Sequence, residues 1–237
     1  MDRFSLLLWV RESFVQGQTE VKGSLSAVVP VQAKYDMSCR QWSLSFRRMS
    51  EILLFHHAQG LTPGILAFAK DLRKAGHLVH TPDLYHGRTF DTLDDGLAYA
   101  RQLGFSDLEE RGVRAADALS NELVYAGFSL GVGPAQKLVQ SRSGAKGALF
   151  FHACLPVTEF ELPWPQGVSV QVHAMEGDPF FEEDAAAAQA LMDTVQKGEL
   201  FWYPGNEHLF SDSSLPSYDG AATSLLKQRV LDFLRES

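Results

Sequence analysis

Ser129 stands between two glycines in the stretch Gly127-Phe128-Ser129-Leu130-Gly131, directly after the apolar run Leu123–Ala126. A Gly-x-Ser-x-Gly at a strand-to-helix corner has the form of a nucleophile elbow. The turn is tight enough to strain the serine backbone, and bulky residues two places to either side would collide. Such a corner lifts the hydroxyl clear of the main chain. It also sets it at a helix N-terminus, where free N–H groups and the dipole favour a developing negative charge. The plainer reading is an ordinary turn with a capping serine, and the pentapeptide alone does not separate the two.

A serine hydroxyl is a weak nucleophile until a base takes its proton. On this kind of fold the partners follow in the chain order serine, acid, histidine, each after a later strand. Asp178 lies in Gly177-Asp178-Pro179, after an apolar run that ends near His173, and His208 lies in "FWYPGNEHLF", after the run Leu200–Tyr203. Taken singly, Asp178 is a turn former and His208 a loop histidine. Taken together, in the required order and at the required strand ends, they read as acid and base. Glu176 and Glu207 compete for the acid role; Asp178 is preferred because its Gly–Pro turn aims a short side chain inward.

A tetrahedral oxyanion needs two donors. The backbone N–H of Leu130 is one. The other should come from "HHAQGLTPG" after the first strand, from Ala58, with Gln59 and Gly60 as alternatives. His56 and His57 end that strand. No third ligand with suitable spacing stands near them, so no metal is expected, and His57 reads as a hydrogen bonder lining a substrate pocket.

These side chains need a scaffold that brings three strand ends to one rim. After Met49 the chain alternates apolar runs with helical patterns: strands at Ile52–His56, His77–Thr81, Leu123–Ala126, Ala148–His152, Val168–His173 and Leu200–Tyr203. Between them, Pro63-Gly64 opens a helix that Gly76 closes, with Ile65, Phe68, Ala69 and Leu72 on one face. Two helices are expected around Thr92–Gln102 and Asp107–Leu119, a further one in "EEDAAAAQALMDTV", and a last one through Leu226, Val230, Phe233 and Leu234. Continuous apolar strands alternating with helices predict an α/β fold: an open, mostly parallel sheet with helices on both faces and no lid domain.

The 237 residues are 45% hydrophobic and carry a formal net charge of −8. That suits one globular domain and argues against nucleic-acid or anionic-membrane binding, both of which favour basic surfaces. The only two cysteines, Cys39 and Cys154, are far apart. A disulfide framework is not expected, and a cytoplasmic location is. Cys154 reads either as pocket lining or as an inert buried thiol. Residues 1–48 carry seven Lys/Arg against four Asp/Glu, while residues 49–237 carry fourteen against twenty-five, and all eight histidines lie after residue 48. Residues 1–48 therefore read as an N-terminal extension, disordered or non-native, with Met49 as the natural start; the competing reading is an N-terminal hairpin using "SLSAVVPVQAKY". Residues 49–237 form the catalytic domain.

"HHAQGLTPG", "HTPDLYHGRTFDT", "VYAGFSLG", "GDPFF" and "YPGNEHLF" together resemble successive motifs of the dienelactone hydrolase family of α/β-hydrolases, over about residues 50–236. The resemblance implies Ser129, Asp178 and His208 as a triad beside a small lidless pocket. Founding members of that family carry a cysteine nucleophile where this chain has Ser129, and a first-loop glutamate where this chain has His57. Both departures point away from dienelactone itself as the substrate and leave acyl transfer to water intact. The family also holds a substrate carboxylate with arginines. Arg88 sits one residue from such a position, and could equally be a surface arginine paired with Asp83 or Asp91. The expectation is a cofactor-free serine hydrolase of small esters, lactones or thioesters, a monomer or weak homodimer. Its rival is a non-catalytic member that binds a ligand or a partner on the same scaffold.

Overall fold

The computed structural model describes residues 49–237. The expectations for residues 1–48, extension or hairpin, and Cys39 with them, lie outside the described residues.

Among the described residues six strands form one sheet, and every strand pairing is parallel: β1 (Glu51–Phe55), β2 (Leu78–His80), β3 (Val124–Phe128), β4 (Gly147–Phe151), β5 (Val170–Met175) and β6 (Gly198–Tyr203), in the spatial order β2-β1-β3-β4-β5-β6. The order turns back at β1, so β3 to β6 run outward on one side and β2 lies alone on the other. The helices are α1 (Pro63–Lys74), α2 (Leu93–Leu103), α3 (Phe105–Arg114), α4 (Val132–Ser141), α5 (Phe181–Thr194) and α6 (Gly220–Glu236).

The apolar runs are continuous because both faces of the sheet are covered. Leu53, Phe55, Tyr125, Phe150 and Val172 point to a core shared with Leu108, Leu138, Phe181 and Leu191 of α3, α4 and α5. Their neighbours Ile52, Leu54, Ala126, Phe128 and Phe151 point the other way, to Ile65, Phe68 and Leu72 of α1 and Leu226, Val230 and Phe233 of α6. Burying each such large side chain stabilises the fold by roughly 1.5–3 kcal/mol.

Element boundaries moved for local reasons. The helix read over Asp107–Leu119 starts at Phe105 and ends at Arg114. Gly104, with φ 88°, ends α2 in a conformation open to glycine, and its carbonyl accepts the N–H of Leu108 to begin α3. Beyond Arg114 the hydrogen bonds tighten: Ala116 N–H reaches Val113 O at 3.0 Å and Leu119 N–H reaches Ala116 O at 3.0 Å. The fifth strand begins at Val170 rather than Val168, because the Val168 carbonyl is spent on the Trp164 indole N–H at 2.9 Å. Among the described residues, no helix is long and apolar enough to cross a membrane.

Candidate active site

β3 leaves the core at Phe128, and Ser129 turns the chain with φ 48°, in the left-handed region. Both neighbouring glycines are required by close approach. A Cβ on Gly127 would lie 2.2 Å from the carbonyl oxygen of Gly131, and one on Gly131 would lie 2.7 Å from the carbonyl oxygens of Phe55 and His56. The close approach at both glycines holds the strained backbone in place, while Ser129 itself is only half-buried.

Ser129 Oγ lies 3.0 Å from His208 Nε2. His208 Nδ1 lies 2.7 Å from Asp178 Oδ2, and the Asp178 side chain is fully buried. A carboxylate only accepts, so Nδ1 carries the proton and Nε2 is free to accept from the serine hydroxyl. The other oxygen, Asp178 Oδ1, accepts the Phe180 N–H at 2.9 Å. Backbone bonds join the loops that carry Asp178 and His208: Glu176 N–H to Tyr203 O and Gly177 N–H to Gly205 O, each 2.9 Å. Glu176 and Glu207, the competing acids, are both exposed. The Phe180 ring lies 4.7 Å from the His208 ring, tilted, and forms a half-exposed wall beside it.

Ala58 is buried in the loop after β1. The neighbouring donors are committed: Gln59 N–H to His57 Nδ1 at 3.2 Å and Gly60 N–H to His57 O at 3.0 Å. The Ala58 N–H has no partner among the described residues. Leu130 is the second residue of a 3-10 turn (Ser129–Gly131) that leads into α4, where the first N–H groups have no intrahelical acceptor.

A profile of the dienelactone hydrolase family matches residues 43–237. The chain belongs to the dienelactone hydrolase family. A dienelactone hydrolase-like promiscuous phosphotriesterase from metagenomic libraries superposes with a TM-score of 0.62 at 18% identity, covering 82% of this chain and 90% of the other. The dienelactone hydrolase of Anabaena variabilis superposes at 0.59 and 17%, covering 79% and 86%. Esterase 2 of Thermogutta terrifontis, solved after phosphonylation by cyclosarin, superposes at 0.57 and 16%, covering 80% and 83%. At these identities the likeness shows the α/β-hydrolase fold. No curated protein sequence matches the chain.

Within this family member, His57 is a hydrogen bonder as expected, with its partners inside the chain, and Arg88 rests on an aromatic ring. His57 is buried, with Nδ1 taking the Gln59 N–H and Nε2 lying 2.8 Å from Asp212 Oδ2. It faces a carboxylate of its own chain, and both its nitrogens are used. Burial depresses its pKa against the opposing pull of Asp212, so the ring stays neutral. His56 is likewise a structural latch: Nε2 accepts the Leu84 N–H at 3.0 Å, and Nδ1 donates to His57 O at 2.8 Å. Arg88 is exposed, and its guanidinium stacks 5.1 Å over the Tyr99 ring rather than pairing with Asp83 or Asp91. The Asp83 carboxylate instead accepts the backbone N–H groups of Tyr85 and Gly87. Cys154 is buried, and burial pushes its thiol pKa up, as befits an inert group.

Three residues near the site had not been singled out. His152, at the end of β4, is buried with φ 65°; Nε2 lies 2.7 Å from Ser211 Oγ, and its ring stands edge-on to His208 at 5.8 Å. Burial, helped by the neighbouring imidazoles, holds it neutral. Its place at a carboxyl strand end was the available signal. Asp184, in the first turn of α5, accepts the Cys154 N–H at 3.0 Å; burial raises its pKa to about 7. Asp212 carried no signal, since an aspartate among serines reads as a turn.

Proposed function

We propose that the chain is a serine hydrolase of small carboxylic esters, lactones or thioesters working through an acyl-enzyme. The single observation that carries this reading is the chain of contacts Ser129 Oγ to His208 Nε2 at 3.0 Å and His208 Nδ1 to Asp178 Oδ2 at 2.7 Å. Family membership and the esterases among the fold neighbours support the ester class.

In the proposed reaction, His208 takes the Ser129 proton as Oγ attacks the substrate carbonyl. The oxyanion is held by the N–H groups of Ala58 and Leu130. The imidazolium returns its proton to the leaving alkoxide or thiolate, and the acyl group remains on Ser129. Water then adds to the acyl-enzyme with His208 as base, and the intermediate collapses to carboxylic acid and free serine. Asp178 stays ionised throughout, fixing the tautomer and stabilising the imidazolium. No cofactor enters these steps.

The test is covalent labelling by a fluorophosphonate, with the modified residue located by mass spectrometry. Label on Ser129, and loss of p-nitrophenyl acetate turnover in Ser129→Ala, is the expected result. The phosphonylated fold neighbour makes this probe class apt. Equal turnover in the parent and Ser129→Ala would favour the binding-protein alternative.

A further inference from the structure

The oxyanion loop and the base loop come from opposite parts of the sheet. The first follows β1 and the second follows β6, with β3, β4 and β5 between them. At about 4.8 Å per strand, the strands themselves stand roughly 19 Å apart. No ladder hydrogen bond therefore fixes Ala58 against His208, yet catalysis of the kind proposed needs that spacing held within about half an ångström.

One carboxylate crosses the gap. Asp212 lies four positions after His208 and is buried. Its Oδ2 accepts from His57 Nε2 at 2.8 Å and from the Thr62 hydroxyl, and its Oδ1 accepts from Ser214 N–H at 2.8 Å and Ser214 Oγ at 2.6 Å. The Gln59 N–H occupies His57 Nδ1, so Nε2 must carry the hydrogen and donate. Thr62 Oγ1 in turn accepts the Ile65 N–H at 3.3 Å, and Ser214 Oγ accepts the Gly64 N–H at 3.1 Å. Two free N–H groups at the start of α1 are thus relayed through hydroxyls onto one anion. The fit leaves no room for a side chain at Gly64, whose Cβ would lie 1.7 Å from Asp212 Oδ1. Burial works against the Asp212 charge, but the hydrogen bonds from His57, Ser214 and Thr62 hold its pKa below the ordinary carboxylate value.

Ala58 is the residue next to this tie. His57 is pinned on one side of it and Gln59 on the other, where Gln59 Nε2 reaches Phe90 O at 3.0 Å. The Ala58 carbonyl packs against Gly96 of α2 so closely that a Cβ there would lie 2.2 Å away.

We propose that Asp212 and His57 form a second aspartate–histidine pair, a positioning pair that sets the Ala58 N–H against Ser129 and His208. The pair touches no substrate and moves no proton. The inference rests on the serine-hydrolase reading above.

The test compares His57→Gln with His57→Met. Gln places an amide donor where Nε2–H stands; Met fills similar volume and donates nothing. The expected result is a kcat ten- to a hundredfold lower in His57→Met, a KM within threefold of the parent, an unmoved acid limb of the pH profile, and a kcat in His57→Gln within about threefold of the parent. Asp212→Asn should resemble His57→Met, since an amide cannot accept from all four donors. Hydrogen exchange needs no turnover: the Gly60 amide should lose protection in His57→Met and keep it in His57→Gln. Equal kcat and equal Gly60 protection in the Gln and Met variants would overturn the proposal. If Ser129→Ala turned over as fast as the parent, the serine mechanism would fail instead, and the exchange comparison alone would still decide the tie.

Discussion

His208 and Asp178 meet at 2.7 Å although they arise from different strands, because the loops after β5 and β6 share two backbone hydrogen bonds and because the second Asp178 oxygen is anchored by the Phe180 N–H at 2.9 Å. The carboxylate is thus oriented before it meets the imidazole. Asp178→Asn should leave the fold intact and allow the wrong imidazole tautomer to face Ser129. A fall in kcat on the order of 10³–10⁴ is expected, with KM little changed, in steady-state ester hydrolysis. A loss under tenfold would remove Asp178 from the mechanism.

The elbow glycines carry a steric prediction. Gly127→Ala drives a methyl group onto the Gly131 carbonyl, 2.2 Å away, and neither group can yield without moving β3 or α4. Destabilisation of about 3 kcal/mol is expected from urea unfolding, together with loss of turnover. Gly133→Ala, whose Cβ would come no nearer than 3.9 Å to Glu109, serves as the tolerated control.

Arg88 should not matter for neutral esters. Its guanidinium rests on Tyr99 and is exposed to solvent. Arg88→Gln is expected to leave kcat/KM for a neutral p-nitrophenyl ester within twofold. A drop of tenfold or more would show that the side chain reaches the substrate.

Asp184 gives an alkaline-side prediction. Burial lifts its pKa from 3.8 to about 7, with smaller contributions from Glu183 and Asp178. Between those values the folded chain holds a proton that the unfolded chain has released, so stability falls as pH rises through the window. The full cost above pH 7 is on the order of 4 kcal/mol. Asp184→Asn, which can still accept the Cys154 N–H, should be markedly more stable than the parent at pH 8 and similar to it near pH 4. Urea midpoints at the two pH values measure this.

The buried imidazoles act in the opposite sense. Burial lowers His56 from 6.5 to about 4, and burial with the nearby Arg229 lowers His173 from 6.5 to about 3. Below pH 6.5 the unfolded chain takes up protons at these rings and the folded chain does not. Stability is therefore lost as pH falls from 6.5 toward 4, at about 1.4 kcal/mol per pH unit for each ring. His173→Gln should reduce the slope of unfolding free energy against pH over that interval by about one proton. An unchanged slope would mean that His173 titrates normally in the folded chain.

The six strands, their alternation with helices and the elbow were legible in the sequence, because a strand buried on both faces must be apolar throughout and a serine in a strained corner must sit between small residues. The order of Ser129, Asp178 and His208 followed from the same logic, since parallel strands put every following loop at one rim. The ends of elements were less legible: Gly104 and the Trp164–Val168 hydrogen bond shifted α3 and β5 through local turn geometry that apolar periodicity does not record. Tertiary structure alone decided the fate of His57, of Arg88 and of Asp212. A histidine one residue before the proposed oxyanion donor looks the same in sequence whether it faces a substrate or a buried carboxylate. The difference is made by a residue 155 positions away, brought close because the chain folds its first and last strands' loops over the same edge. Periodicity encodes which face of an element is buried; which polar groups meet across the gap is set only once the layers have packed.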